Sequence, residues 1–107
     1  MNTSEKIYCP CCNKNNIEIN ISNVIRKMDT IKCCNLSIDL FYSYTPNIDF
    51  KIYIREYYED KLFKTYKFDS TKDQFYIDGN QYKLNVDLGI NDTVNYLYKF
   101  YKNIEFM

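Results

Sequence analysis

The five cysteines of this chain stand in two groups, Cys9-Pro10-Cys11-Cys12 and Cys33-Cys34, and no other occurs in the 107 residues. Thiols grouped in this way offer three chemistries: cross-linking, redox exchange and metal binding. Cross-linking fits poorly. The number is odd, and the stretch Met1 to Lys6 is polar where an export signal would be apolar. Adjacent cysteines also bridge each other only with strain. Redox exchange at Cys9-Pro10-Cys11-Cys12 needs that motif to open a helix, whose N-terminus lowers the pKa of the first thiol. The following Asn13-Lys14-Asn15-Asn16 and the alternating Ile17-Glu18-Ile19-Asn20-Ile21 predict a turn and a strand instead. Metal binding is the leading reading, and a thiol redox protein using Cys9-Pro10-Cys11-Cys12 is the weaker alternative. Cys9 and Cys12 have C-x-x-C spacing, and a second cysteine pair follows after twenty intervening residues, the spacing of a four-thiolate zinc site. Iron–sulfur spacings match less closely.

The stretch Tyr8-Cys9-Pro10-Cys11-Cys12-Asn13-Lys14 resembles the C-P-x-C knuckle of the zinc-ribbon superfamily, and the resemblance extends over about residues 6–42. In that superfamily a glycine usually follows the second cysteine, where the backbone takes a positive φ. Asn13 and Asn35 hold the matching places, and Asn is the next-best residue for that conformation. The second knuckle departs from the pattern because Cys33 and Cys34 are adjacent. Neighbouring side chains on a strand point to opposite faces, so both can ligate only if the chain turns there. Cys9, Cys12 and Cys34 are assigned as ligands, Cys33 as the fourth, and Cys11 as its substitute. The resemblance implies a structural Zn²⁺ and, as in many ribbon proteins, a role in transcription or translation. A catalytic zinc keeps one position open and usually has His or carboxylate ligands. This chain has no histidine, which also removes the usual general base and the Ser–His and Cys–His pairs. A non-enzymatic protein is expected.

The elements that must position these thiols are mainly strands. Residues 17–21 and about 30–44 read as the arms of the ribbon. Ile48, Phe50, Ile52 and Ile54 alternate with Asp49, Lys51, Tyr53 and Arg55, a half-buried strand. Leu62, Lys64, Tyr66 and Phe68 alternate less cleanly. Phe75-Tyr76-Ile77, then Asp78-Gly79-Asn80, then Tyr82, Leu84, Val86 and Leu88 predict a hairpin turning at Asp-Gly. Val94, Leu97, Tyr98, Tyr101 and Ile104 recur at helical spacing behind a cap at Asn91 or Asp92. The expectation is an α+β, mainly β, single domain over 1–107. It comprises a zinc ribbon at 6–42, continuous with an antiparallel sheet of about four strands at 43–90, and one packing helix at 91–105.

Composition bounds the function. Asn, Ile, Lys, Tyr and Phe number 13, 13, 12, 12 and 7, so residues with A/T-rich codons fill over half the chain. An A/T-rich genome is expected, and a phage or viral accessory factor acting on host machinery fits it, as does a small subunit of a large assembly. No apolar run approaches the ~18 residues of a membrane span, and a cytoplasmic location is expected. The formal charge is zero, with 14 basic and 14 acidic residues. Proteins built on phosphate contacts carry a basic excess, so a protein partner is the leading expectation. Tyr53, Tyr57 and Tyr58 are the expected contact residues, because tyrosine buries a ring while its hydroxyl stays solvated. The nucleic-acid alternative rests on Lys14, Arg26, Lys27 and Lys32. Lys14 and Lys32 also stand beside the cysteines, where they balance the −2 charge of zinc held by four thiolates.

Overall fold

A period-two apolar pattern commits one side of each strand to a core, and hairpin turns must then bring consecutive strands side by side. The computed structural model describes residues 4–20, 26–44, 48–84 and 87–105, with only the backbone described for Tyr44 and 101–105. In chain order the strands are β1 (Ser4–Tyr8), β2 (Asn16–Asn20), β3 (Lys27–Cys33), β4 (Leu36–Tyr44), β5 (Ile48–Tyr58), β6 (Lys61–Asp69), β7 (Gln74–Ile77) and β8 (Asn80–Lys83). The helix α1 (Ile90–Glu105) follows. β1 and β2 form a two-stranded antiparallel hairpin, with Ser4 opposite Asn20 and Tyr8 opposite Asn16. β3 to β8 pair in sequence order as a six-stranded antiparallel meander. The protein is thus mainly β with one C-terminal helix, as its periodicity predicts.

Three of the hairpins turn on two residues, Cys34-Asn35, Glu59-Asp60 and Asp78-Gly79, and all six residues have positive φ. Such turns match the right-handed twist of the flanking strands. Only the last contains glycine, so the other two hold L-residues in a disfavoured region.

The register puts Leu36, Ile38, Leu40 and Tyr42 of β4 in line with Ile52 and Ile54 of β5, Tyr66 and Phe68 of β6, and Phe75 and Ile77 of β7. All are buried. The helix covers part of this face with Ile90, Val94, Leu97 and Tyr98, and the Tyr98 ring lies 6.4 Å from that of Tyr66. Phe75 is boxed by Tyr82, Tyr96 and Phe100 at 5.3, 5.8 and 5.0 Å. Ile7 and Ile19 of the β1–β2 hairpin are fully buried in the same core. The result is two layers: a sheet, and above it a hairpin and a helix.

Several elements differ from expectation. β1 was not anticipated, since Ile7 is its single strongly apolar residue. The arm expected over about 30–44 is two strands, and β4 runs across the expected boundary between 42 and 43. A bulge at Glu56/Tyr57 pairs Glu56 with Lys64 and Tyr57 with Leu62, leaving Phe63 as the extra residue. Leu62 and Phe63 are therefore exposed, while Lys64 follows Tyr66 and Phe68 inward and is buried. Helix α1 starts at Ile90, and Asn91 is not its cap. Glu5 accepts a hydrogen bond from the Asn91 N–H (3.1 Å), and the Asn91 side chain accepts one from the Tyr8 N–H (2.9 Å). A carboxylate at a helix N-terminus satisfies an orphan donor and complements the dipole. Ile21 and Val86 lie outside the described residues, as do the side chains of Tyr101 and Ile104.

Candidate metal centre

Two turns from two hairpins meet at one end of the molecule. The first, residues 9–15, joins β1 to β2 and is closed by its own backbone. The Cys9 N–H donates to the Asn15 carbonyl and the Asn13 N–H to the Cys9 carbonyl, both at 2.8 Å. Asn13 takes φ 57°, the left-handed position expected after Cys12. The second is the two-residue turn of β3–β4, where Cys34 and Asn35 have φ 53° and 63°. Cys33 ends its strand and Cys34 begins the turn, so the reversal falls where adjacent cysteines need it.

The Sγ atoms of Cys9, Cys12, Cys33 and Cys34 all lie within 4.8 Å of one another. Cys12 and Cys33 are 3.7 Å apart, and Cys33 and Cys34 are 3.5 Å apart. A tetrahedral ion with metal–sulfur bonds of about 2.3 Å separates its sulfurs by about 3.8 Å. The thiols thus fit a metal ion without rearranging the turns, and four sulfurs suit a soft or borderline ion. Cys9 is buried, Cys12 and Cys33 are half-buried, and Cys34 is exposed. Cys11 is exposed and is not one of the four.

The surroundings shift these thiols in opposite directions. Backbone N–H groups of Asn15 and then Lys14 pull the Cys12 thiol down to about 6. Burial pushes the Cys9 thiol up, and hydrogen bonding with Cys33 and then Cys12 pushes Cys34 up strongly. A bound cation reverses the upward shifts, because coordinating thiols deprotonate. The Asn15 side-chain amide donates to Cys33 Sγ at 3.0 Å. This contact was missed from the sequence, where Asn15 is one of several asparagines in a row.

The other candidates divide. Tyr57 is half-buried beside the second turn, and its N–H donates to the Asn35 carbonyl (2.9 Å). Tyr58 is 67% exposed at the tip of the β5–β6 hairpin, its ring 6.5 Å from that of exposed Phe63. Tyr53 is elsewhere, half-buried on the face of the sheet away from the helix. Lys14 and Lys32 are exposed next to the cysteines. Arg26 and Lys27 are exposed at the other end of β3, Lys27 roughly 17 Å along the strand from Lys32. The four cations do not form one patch. Compared with protein-family models, with curated proteins and with solved structures, the chain has no match. No helix among the described residues is long and apolar enough to cross a membrane.

Proposed function

We propose that this protein is a non-enzymatic protein-interaction module held together by one structural zinc ion, with the architecture of a zinc ribbon at residues 6–42. The observation that carries the proposal is the four-thiol cluster, formed by turns of two separate hairpins. Four thiolates close the coordination sphere of zinc, which leaves no position for water or substrate. The contact surface is the β5–β6 hairpin tip, where Tyr58, Leu62 and Phe63 are exposed beside the second cysteine turn. Three large apolar side chains on one projecting tip are what a partner's pocket buries at a hot spot. The A/T-biased composition supports a phage or viral accessory factor, or a small subunit of a larger assembly.

Elemental analysis of the freshly purified chain should give one zinc per molecule. Affinity capture from the native host should recover a partner that a Tyr58→Ala/Phe63→Ala variant loses while retaining its zinc. A metal-free native protein removes the zinc, and unchanged capture by that variant removes the tip as the contact surface.

A further inference from the structure

The antiparallel register gives the six-stranded sheet a second face, opposite the core, and its side chains are not a random solvated set. Phe41, Tyr53 and Tyr76 stand on it, from β4, β5 and β7. Lys32, Lys51, Arg55, Lys67 and Lys83 stand between and around them, against Asp39, Asp49 and Asp69. Two of those carboxylates are already engaged: Asp39 with Thr30 (2.8 Å) and Arg55 (3.6 Å), and Asp69 with Thr71 (2.7 Å) and Lys51 (3.9 Å). Those pairs neutralise cation and carboxylate alike, and five cations against three carboxylates still leave this face a basic excess in a chain of zero formal charge.

Rings and cations are also paired in space. At the end where β3 begins, a recess of about 830 Å³ wraps the end of the sheet and brings Phe41 together with Arg26, Lys27, Lys51 and Lys72, against Asp49 and Asp69. At the metal end a recess of about 470 Å³ holds Tyr57 with Lys32 and Arg55, against Asp60. Over β6 and β7, one of about 280 Å³ holds Tyr76 with Lys67, Thr65 and Gly79. Among these hollows, Arg55 and Lys67 flank the Tyr53 ring at 5.7 and 5.3 Å from its centroid. Phe41 is 43% exposed, which an ordinary polar face does not require.

We propose that this open face binds single-stranded nucleic acid, with bases stacked on Phe41, Tyr53 and Tyr76 and phosphates on Lys51, Arg55 and Lys67. The charge complementarity suits a polyanion, and the repeated pairing of a flat ring with a cation suits one that carries a base beside each phosphate. A base stacking on Tyr53 displaces one of its two cations toward the adjoining phosphate. Paired bases in a duplex cannot reach the rings, and an acidic peptide engages the cations without them. The surface is separate from the hairpin tip proposed above, and Tyr53 belongs to it rather than to the tip.

The test is fluorescence anisotropy with the full, zinc-loaded chain and a labelled twelve-residue oligothymidine. The same measurement is repeated with a duplex of equal length and with a labelled glutamate peptide. The oligothymidine should bind with Kd between about 1 and 100 µM at 50 mM salt. With three phosphates engaged, affinity should fall about tenfold by 150 mM. Phe41→Ala and Tyr53→Ala should each weaken binding about fivefold or more, and Tyr53→Phe should preserve it. Lys67→Ala should flatten the salt dependence by about one phosphate. Tyr58→Ala/Phe63→Ala should leave the affinity unchanged, whatever becomes of protein capture. Absent binding, equal binding of the duplex or the glutamate peptide, indifference to loss of the Phe41 and Tyr53 rings, or equal loss in the tip variant would each overturn the assignment.

Discussion

The two cysteine turns bring sulfur to the same place from very different surroundings. The first closes a two-stranded hairpin, a structure that is at best marginally stable alone. Its seven residues carry their own backbone hydrogen bonds and need the left-handed conformation only at Asn13 within the loop. The second turn is two residues long and belongs to a six-stranded sheet. There the left-handed conformation falls on Cys34 itself, a residue without the local hydrogen bonding that helps Asn, and the sheet holds it. A metal bound here would therefore add support chiefly to the first turn, because the second already has the sheet. A metal ion at this site fastens a weak hairpin to a strong sheet.

Removing a ligand from the first turn is the harshest test of that asymmetry. Cys9→Ser or Cys12→Ser should abolish zinc binding, which contributes on the order of 10 kcal/mol at sites of this kind. Hydrogen exchange should then show β1 and β2 losing protection while β4, β5 and β6 keep theirs. Simultaneous loss in both sheets would erase the distinction between the two regions. The converse variant, Phe75→Ala, opens a cavity beneath Tyr96 and Phe100 and should destabilise the sheet and helix by about 3–5 kcal/mol. Thermal unfolding should move to lower temperature in that variant with the zinc stoichiometry still at one.

Alkaline titration separates the regions in another way. Tyr66 is buried and donates to Glu56 (2.7 Å), and Tyr42 is buried and donates to Asp29. Burial first, and then these carboxylates, hold both phenols well above their ordinary value of 10.0. A raised folded-state pKa stabilises fully below the unfolded value and progressively less as pH rises past it. Denaturant melts followed on the six-stranded sheet should therefore be insensitive to these groups below about pH 10 and weaken above it. Tyr66→Phe should blunt that fall. The smallest effect belongs to Cys11. Cys11→Ser should change stability by less than about 0.5 kcal/mol and leave zinc bound. Mass spectrometry after brief alkylation of the folded chain should find Cys11 labelled and Cys33 protected; the reverse would give three ligands to the first turn.

What could be read beforehand follows the strength of each local rule. The C-x-x-C pair, the asparagines after Cys12 and Cys34, the 48–55 strand and the Asp78-Gly79 turn each express a backbone requirement in residue type, and each takes the expected form except that Ile48 is exposed. The helix is legible from the spacing of Val94, Leu97 and Tyr98. β1 was not legible, because Ile7 is its single strongly apolar residue and no alternation marks it as a strand. Glu59-Asp60 carries no glycine, so nothing local announces a turn with two positive φ values. The bulge at Glu56/Tyr57 shifts the alternation by one residue, which is why Leu62 and Phe63 face water and Lys64 does not. The open face was hidden for a different reason. Net charge and aromatic count are sums over the chain, and only strand register shows that rings and cations share one side.

The clamp between Glu5, Tyr8 and Asn91 has a consequence for the order of events during synthesis. Its hydrogen bonds span 86 and 83 residues, whereas every pair in the six-stranded sheet joins neighbours in sequence. Strands from β3 onward can pair one after another as they leave the ribosome. β1, made before β2 to β8, must wait for a helix made after them all. At typical translation speeds of ~5–20 residues per second, that interval is on the order of 10 s. For those seconds Cys9 and Cys12 sit on an unclamped hairpin, open to any thiophilic ion or oxidant around them. Among these eight strands, the earliest made is the last to be locked.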